Sequence, residues 1–119
     1  MIFLASNLGA FPDEVEAGIR LCQDGLALFW ELDDKPGITR ALNVLGELSR
    51  MVGDYDHAEV VYEECLALSR QIGDKQRAGV MLSNLSYVAM HQGDYVRAEA
   101  LIRESLTITV ELNTKYFTG

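Results

Sequence analysis

The chain has 119 residues, of which 49% are apolar, and a formal net charge of −8. That length suits one domain with a real core, and the apolar share excludes disorder. The acidic balance excludes nucleic acid and anionic membrane surfaces as partners, and leaves basic or neutral ones.

Residues 2–11 carry Ile2, Phe3, Leu4 and Leu8, enough for a short helix whose apolar side needs a neighbour. Phe11-Pro12-Asp13 is expected to break it, because proline disfavours helix in the residue before it. Glu14 to Leu32 reads as the next helix, with Val15, Ile19, Leu21, Cys22, Leu26 and Phe29 as its apolar stripe. Gly18 and Gly25 weaken it by about 1 kcal/mol each. Asp33-Asp34-Lys35-Pro36-Gly37 is a turn, and Asp34 can cap the helix beyond it. That helix, from Pro36 to Val52, turns Ile38, Ala41, Leu42, Leu45, Leu48 and Met51 inward. Gly53 can leave it in a left-handed conformation, and Asp54 caps the helix Tyr55 to Ile72. The Tyr55 helix faces inward through Ala58, Val61, Tyr62, Cys65, Leu66 and Leu68. Gly73-Asp74 ends it, and the pattern returns as Lys75 to Gln92, a Gly93-Asp94 turn, and Tyr95 to Leu112.

The return is literal. Gly53-Asp54-Tyr55-Asp56-His57-Ala58-Glu59 reappears 40 residues later as Gly93-Asp94-Tyr95-Val96-Arg97-Ala98-Glu99. Leu42, Leu45, Leu66 and Ile72 find Leu82, Leu85, Leu106 and Leu112 in the same register, and Glu64 and Lys75 find Glu104 and Lys115. A fixed period of this size marks one supersecondary unit stacked several times. No long stretch alternates with period two, so strands are not expected. The expected architecture is all-α: a single domain spanning 1–119, built as a superhelix of three stacked antiparallel helical hairpins. Its parts are a degenerate unit at 13–37, repeats at 38–72 and 75–112, and a tail at 113–119 where another hairpin would begin. Ala58 and Ala98 mark the closest approach of the two helices in each hairpin, with Gly46 and Ser86 opposite and Gly18 in the degenerate unit. A larger side chain there costs about 1–3 kcal/mol.

Ala41-Leu42-Asn43-Val44-Leu45-Gly46, followed by Gly53-Asp54-Tyr55, Ala58, Tyr62 and Leu66, resembles the tetratricopeptide repeat. Leu82, Leu85, Ser86, Gly93, Asp94, Tyr95, Ala98 and Leu106 repeat that pattern. The period is longer than the common 34 residues. Cys65 and Ser105 stand where the family usually has alanine, and Ile102 where it has a ring. The longer repeat with a Gly-Asp-Lys connector is similar to those in the C-terminal arms of bacterial signalling ATPases and maltose-activator-like regulators, and in kinesin light chains. The resemblance implies a concave face lined by the first helix of each hairpin. On this chain that face carries Arg40, Asn43, Glu47, Arg50, Ser83, Asn84, Tyr87 and His91. They mix donors, acceptors, a ring and both charge signs, which suits a peptide or a helix laid in a groove. An ordinary solvated face is the alternative reading. The carboxylate-clamp pattern is not recognisable, so capture of a peptide C-terminus is not expected.

The array ends are a second candidate surface. Phe3, Leu4 and Leu8 at one end, and Leu101, Ile108, Tyr116 and Phe117 at the other, allow self-association through stacking. Catalysis is not expected. His57 and His91 have no partner at a zinc-like spacing, adjacent carboxylates such as Asp33/Asp34 and Glu63/Glu64 diverge on a helix, and no phosphate loop or nucleophile turn appears. Met51, Met81 and Met90 fit core spacing, and no cofactor is expected. Cys22 and Cys65 read as small core residues of a reducing, cytoplasmic compartment. The start lacks a basic n-region, and no apolar run reaches the roughly 20 residues of a membrane span. The leading expectation is a non-catalytic scaffold that binds protein or peptide. The alternative is a ligand-sensing arm of a larger signalling or transcription-regulating protein.

Overall fold

The computed structural model describes the backbone of residues 2–118 and the side chains of residues 13–114. Five helices follow one another: α1 (Ile2–Glu31), α2 (Lys35–Met51), α3 (Tyr55–Gln71), α4 (Lys75–His91) and α5 (Tyr95–Thr118). Each packs on its neighbour in sequence, and no strand occurs among the described residues. The radius of gyration is 16.2 Å. A compact globule of this length would have about 13.5 Å, so the stack is elongated.

One local device sets every turn. The chain leaves each helix with φ between 53° and 82° at residues 33, 53, 73 and 93. Glycine holds the last three, and Asp33 tolerates the same conformation as one of the few residue types that do so at modest cost. The amide of the next residue then reaches back five positions: Asp34 to the Phe29 carbonyl, Asp54 to Ser49, Asp74 to Ser69 and Asp94 to Ala89. Those bonds satisfy carbonyls that the helix end would leave orphaned. The carboxylate of each of these aspartates accepts from a backbone amide three residues on, that of Gly37, His57, Arg77 or Arg97. The same residue thus closes one helix and caps the next.

The core lies between the hairpins. Ile38, Leu42, Leu45, Ala58, Tyr62, Cys65, Leu66, Met81, Leu82, Leu85 and Val88 are all buried. The close approach runs as the repeat demands, with matched sizes on facing helices. A Cβ on Gly46 would sit 2.5 Å from the Tyr62 ring. In the last hairpin Ser86 replaces that glycine and Ile102 replaces the ring. Cys65 and Ser105, which stand in place of alanine, share a role. The Cys65 thiol donates to the Thr39 carbonyl at 3.3 Å, and the Ser105 hydroxyl to the Gly79 carbonyl at 2.9 Å. Both bonds tie the second helix of a hairpin to the backbone of the first. Burial pushes the Cys65 thiol up from its ordinary range.

Four expectations are corrected. α1 runs without interruption through Pro12, so the first unit is one long helix and the described residues form five helices. Proline biases the residue before it away from helix but does not forbid one, and kinked or unbroken helices are the known exceptions. α5 continues past Leu112 to Thr118. Asn113-Thr114 stands where the other turns have Gly-Asp or Asp-Asp, so the residue best suited to positive φ is missing. Leu21 is 72% exposed, not inward. α1 packs mainly against α2, whereas Val61, the α3 counterpart of Leu21, is buried between neighbours. Met51 and Met90 are exposed as well, while Met81 is fully buried. The end residues Phe3, Leu4, Leu8, Tyr116 and Phe117 lie outside the described side chains.

Candidate partner-binding face

Side-chain contacts sort the helices into two layers. α3 and α5 are joined by Arg70 to Glu104 and by Arg97 to both Glu59 and Glu63. Gln92, beside that seam, donates to Asp56 and Glu59. α2 and α4 meet on the other side, where the residues are polar and aromatic. Asn84 donates to Asn43 at 3.4 Å. The Arg50 guanidinium lies 4.7 Å from the centre of the Tyr87 ring. Tyr87 in turn packs on His91 at 4.4 Å, and His91 stacks on Tyr55 at 4.8 Å with the planes 10° apart. A continuous run, Arg50–Tyr87–His91–Tyr55, therefore crosses from one hairpin to the next.

The eight residues expected to line this face divide accordingly. Asn43, Asn84, Arg50, Tyr87 and His91 are brought together across α2 and α4. Arg40 and Glu47 are exposed on α2 and make no side-chain hydrogen bond or ion pair among the described residues. Ser83 departs from the group: it lines two cavities between α4 and α5, and Tyr87 borders the second of them as well. Tyr55 joins the run, although its sequence position implies only a packing ring at the start of α3. Its contact with His91 spans 36 residues, and the 40-residue register carries no signal of it.

Charge is distributed unevenly between the layers. Ion pairs hold Arg70, Arg97 and Arg103 on α3 and α5, and Arg77 pairs with its own capping Asp74. Neither Arg40 nor Arg50 has a carboxylate at ion-pair distance among the described residues. The Tyr62 hydroxyl is buried without a hydrogen-bond partner. Burial raises its pKa, and the nearby Arg50 charge opposes that rise without a bond in good geometry. His57 is occupied elsewhere, its Nδ1 lying 2.7 Å from the Ser49 hydroxyl. Among the described residues no group of three or more histidine, cysteine or acidic side chains is placed to hold a metal ion. No described helix is long and apolar enough to cross a membrane.

Helices linked by identical capped turns, stacked in register with a two-layer arrangement, define an α-helical repeat array. The tetratricopeptide repeat family model matches residues 38–72 and 80–113. The chain belongs to that family, whose repeats generally serve as protein-interaction scaffolds. No curated protein matches the chain.

Proposed function

We propose that the chain is a non-catalytic scaffold module that binds protein or peptide along the face formed by α2 and α4. The observation that carries the reading is the run Arg50–Tyr87–His91–Tyr55 beside the Asn43–Asn84 bridge. It offers stacked rings, amide donors and acceptors, and an arginine with no carboxylate partner among the described residues, all at one surface. Aromatic and arginine side chains are the groups that most often anchor a protein interface, and amides can follow an extended backbone. The cytoplasm is the proposed setting, supported by the unpaired Cys22 and Cys65.

Selection of a random displayed peptide library on the wild-type chain, with affinities then measured against variants, tests the reading. Arg50→Glu and Tyr87→Ala are each expected to weaken selected peptides at least tenfold while leaving helicity unchanged. Glu64→Lys, an exposed change on α3, is expected to leave affinity within twofold. Peptides that bind Arg50→Glu and Tyr87→Ala as well as wild type would overturn the assignment of the face. Thermal shifts by small metabolites with no peptide captured would favour the ligand-sensing arm instead.

A further inference from the structure

The repeat supplies an internal standard for judging its own last hairpin. In the middle hairpin, positions 40, 47, 50, 56 and 70 carry Arg, Glu, Arg, Asp and Arg. The same register positions in the last hairpin carry Val80, Tyr87, Met90, Val96 and Val110, and all five are exposed. Beside them, Tyr95, Ile102 and Leu106 are also exposed, although their counterparts Tyr62 and Leu66 are fully covered and Tyr55 is partly so. Tyr95, Ile102, Leu106 and Val110 come at intervals of seven, four and four residues, which sets them on one side of α5. Val80, Ser83, Tyr87 and Met90 come at intervals of three, four and three on α4.

Between the two stripes runs a groove of two cavities, about 540 and 450 Å³, lined by small residues that include Gly79, Ser83, Ser86, Ala98 and Ser105. The middle hairpin keeps polar residues at these register positions, and this hairpin exposes apolar ones.

We propose that this face is where a second copy of the chain docks, α4–α5 against α4–α5, in a two-fold symmetric dimer. Two observations choose this occupant. The first is breadth. The middle hairpin is covered by a following unit and still keeps polar residues at 40, 47, 50, 56 and 70. One more repeat stacked on the last hairpin would therefore not require apolar residues there, whereas a broader opposing face would. The second is charge. Two chains of net charge −8 repel one another least where they meet through a surface without excess charge. The described charges on this face are Glu99 and Arg103, which cancel each other in an ion pair at 3.0 Å. A face that is neutral and striped at heptad spacing on α4 is compatible with its own image, as an isologous contact demands. The inference narrows self-association to one end and one symmetry; Tyr87 borders both this groove and the α2–α4 face, whereas Ile102 and Leu106, the sites of the test, lie outside the latter.

Sedimentation equilibrium of the whole chain, from low-micromolar to several hundred micromolar, tests the proposal. Wild type is expected to move from monomer to dimer and stop there, with the association constant rising from low to high salt as the repulsion between the acidic chains is screened. Ile102→Glu combined with Leu106→Glu is expected to weaken dimerisation at least tenfold. Both sites are exposed in the single chain, so helicity should hold, and circular dichroism checks that. Leu21→Glu with Leu28→Glu, exposed on α1 at the opposite end, is expected to leave the dimer intact. A wild type that stays monomeric throughout overturns the proposal and leaves the face to a helix of another protein. Masses growing beyond dimer, or a dimer lost with the α1 pair and kept with the α5 pair, overturn it in favour of end-to-end stacking.

Discussion

Leu66 and Leu106 hold the same place in successive hairpins, yet the first is 4% exposed and the second 58%. Tyr62 and Ile102 differ in the same direction. Each pair sits on the second helix of a hairpin with its own first helix alongside. What differs is the next unit: α4 lies over the α2–α3 hairpin, and among the described residues nothing lies over α4–α5. A helix in such an array thus acquires its core in two instalments, one from its own hairpin and one from the next unit. α1 makes the same point from the other end, since it packs mainly on α2 and leaves Leu21 and Leu28 in water.

Substitutions at matched positions can break or sharpen that comparison. The largest effect is expected at the close approach. Ala58→Arg buries an unpaired charge in a helix packed on both sides and should cost at least about 3–5 kcal/mol, unfolding most of the chain. Ala98→Arg should strip helicity mainly from the last hairpin, a smaller loss of circular dichroism signal. Equal losses would mean that the hairpins do not differ in coverage. Next comes the size match. Gly46→Ala drives a Cβ into the Tyr62 ring and should cost about 1–3 kcal/mol by chemical denaturation. Ser86→Ala, which loses only a hydrogen bond to the Ala98 carbonyl, should cost about 1 kcal/mol. Gly46→Ser together with Tyr62→Ile transplants the last hairpin's pairing, and should recover part of the Gly46→Ala loss if the two residues are coupled.

Smaller effects probe the turns and the buried thiol. Asp33 has positive φ where the other three turns have glycine. Asp33→Gly should stabilise by up to about 1 kcal/mol, while Gly53→Asp should destabilise by a similar amount. Burial raises the Cys65 thiol above its ordinary value of 9.0. As pH rises the unfolded chain therefore loses that proton before the folded one does. The stability linked to this proton is intact below 9.0 and falls as pH climbs towards the folded-state value. Cys65→Ala should flatten part of that alkaline decline in a melting series, and Ser105→Ala should leave its shape unchanged.

Much of this fold is legible in the residues. The Gly-Asp pairs announce the turns because positive φ and a capping carboxylate are local requirements. The apolar spacing places Leu42, Tyr62, Leu66, Leu82 and Ala98 on the correct sides of their helices. It cannot say whether a neighbour arrives to cover that side, which is why Leu21 and Met90 read as inward and are not; Met51, the last residue of α2, is exposed at the helix end. The expected break at Pro12 does not occur because a one-residue preference is set against a long run of helix-compatible sequence. On the candidate face, polarity identifies Asn43, Arg50, Asn84 and Tyr87, and the structure brings these together. The stacking of Tyr55 on His91 is not legible, since it depends on how far α4 is rotated over α2 and α3. Ser83 shares a register with Asn43, but lacking a following unit it opens onto the groove beyond α4.

Leucine-to-alanine truncation at the matched pair, with each variant unfolded by urea at dilute concentration, tests this account most directly. Coverage by the next unit predicts that Leu66→Ala loses about 2–5 kcal/mol, the usual range for a buried leucine, while Leu106→Ala loses less than about 1 kcal/mol. Equal losses at the two sites would contradict it, because the hairpin alone would then suffice to build the core.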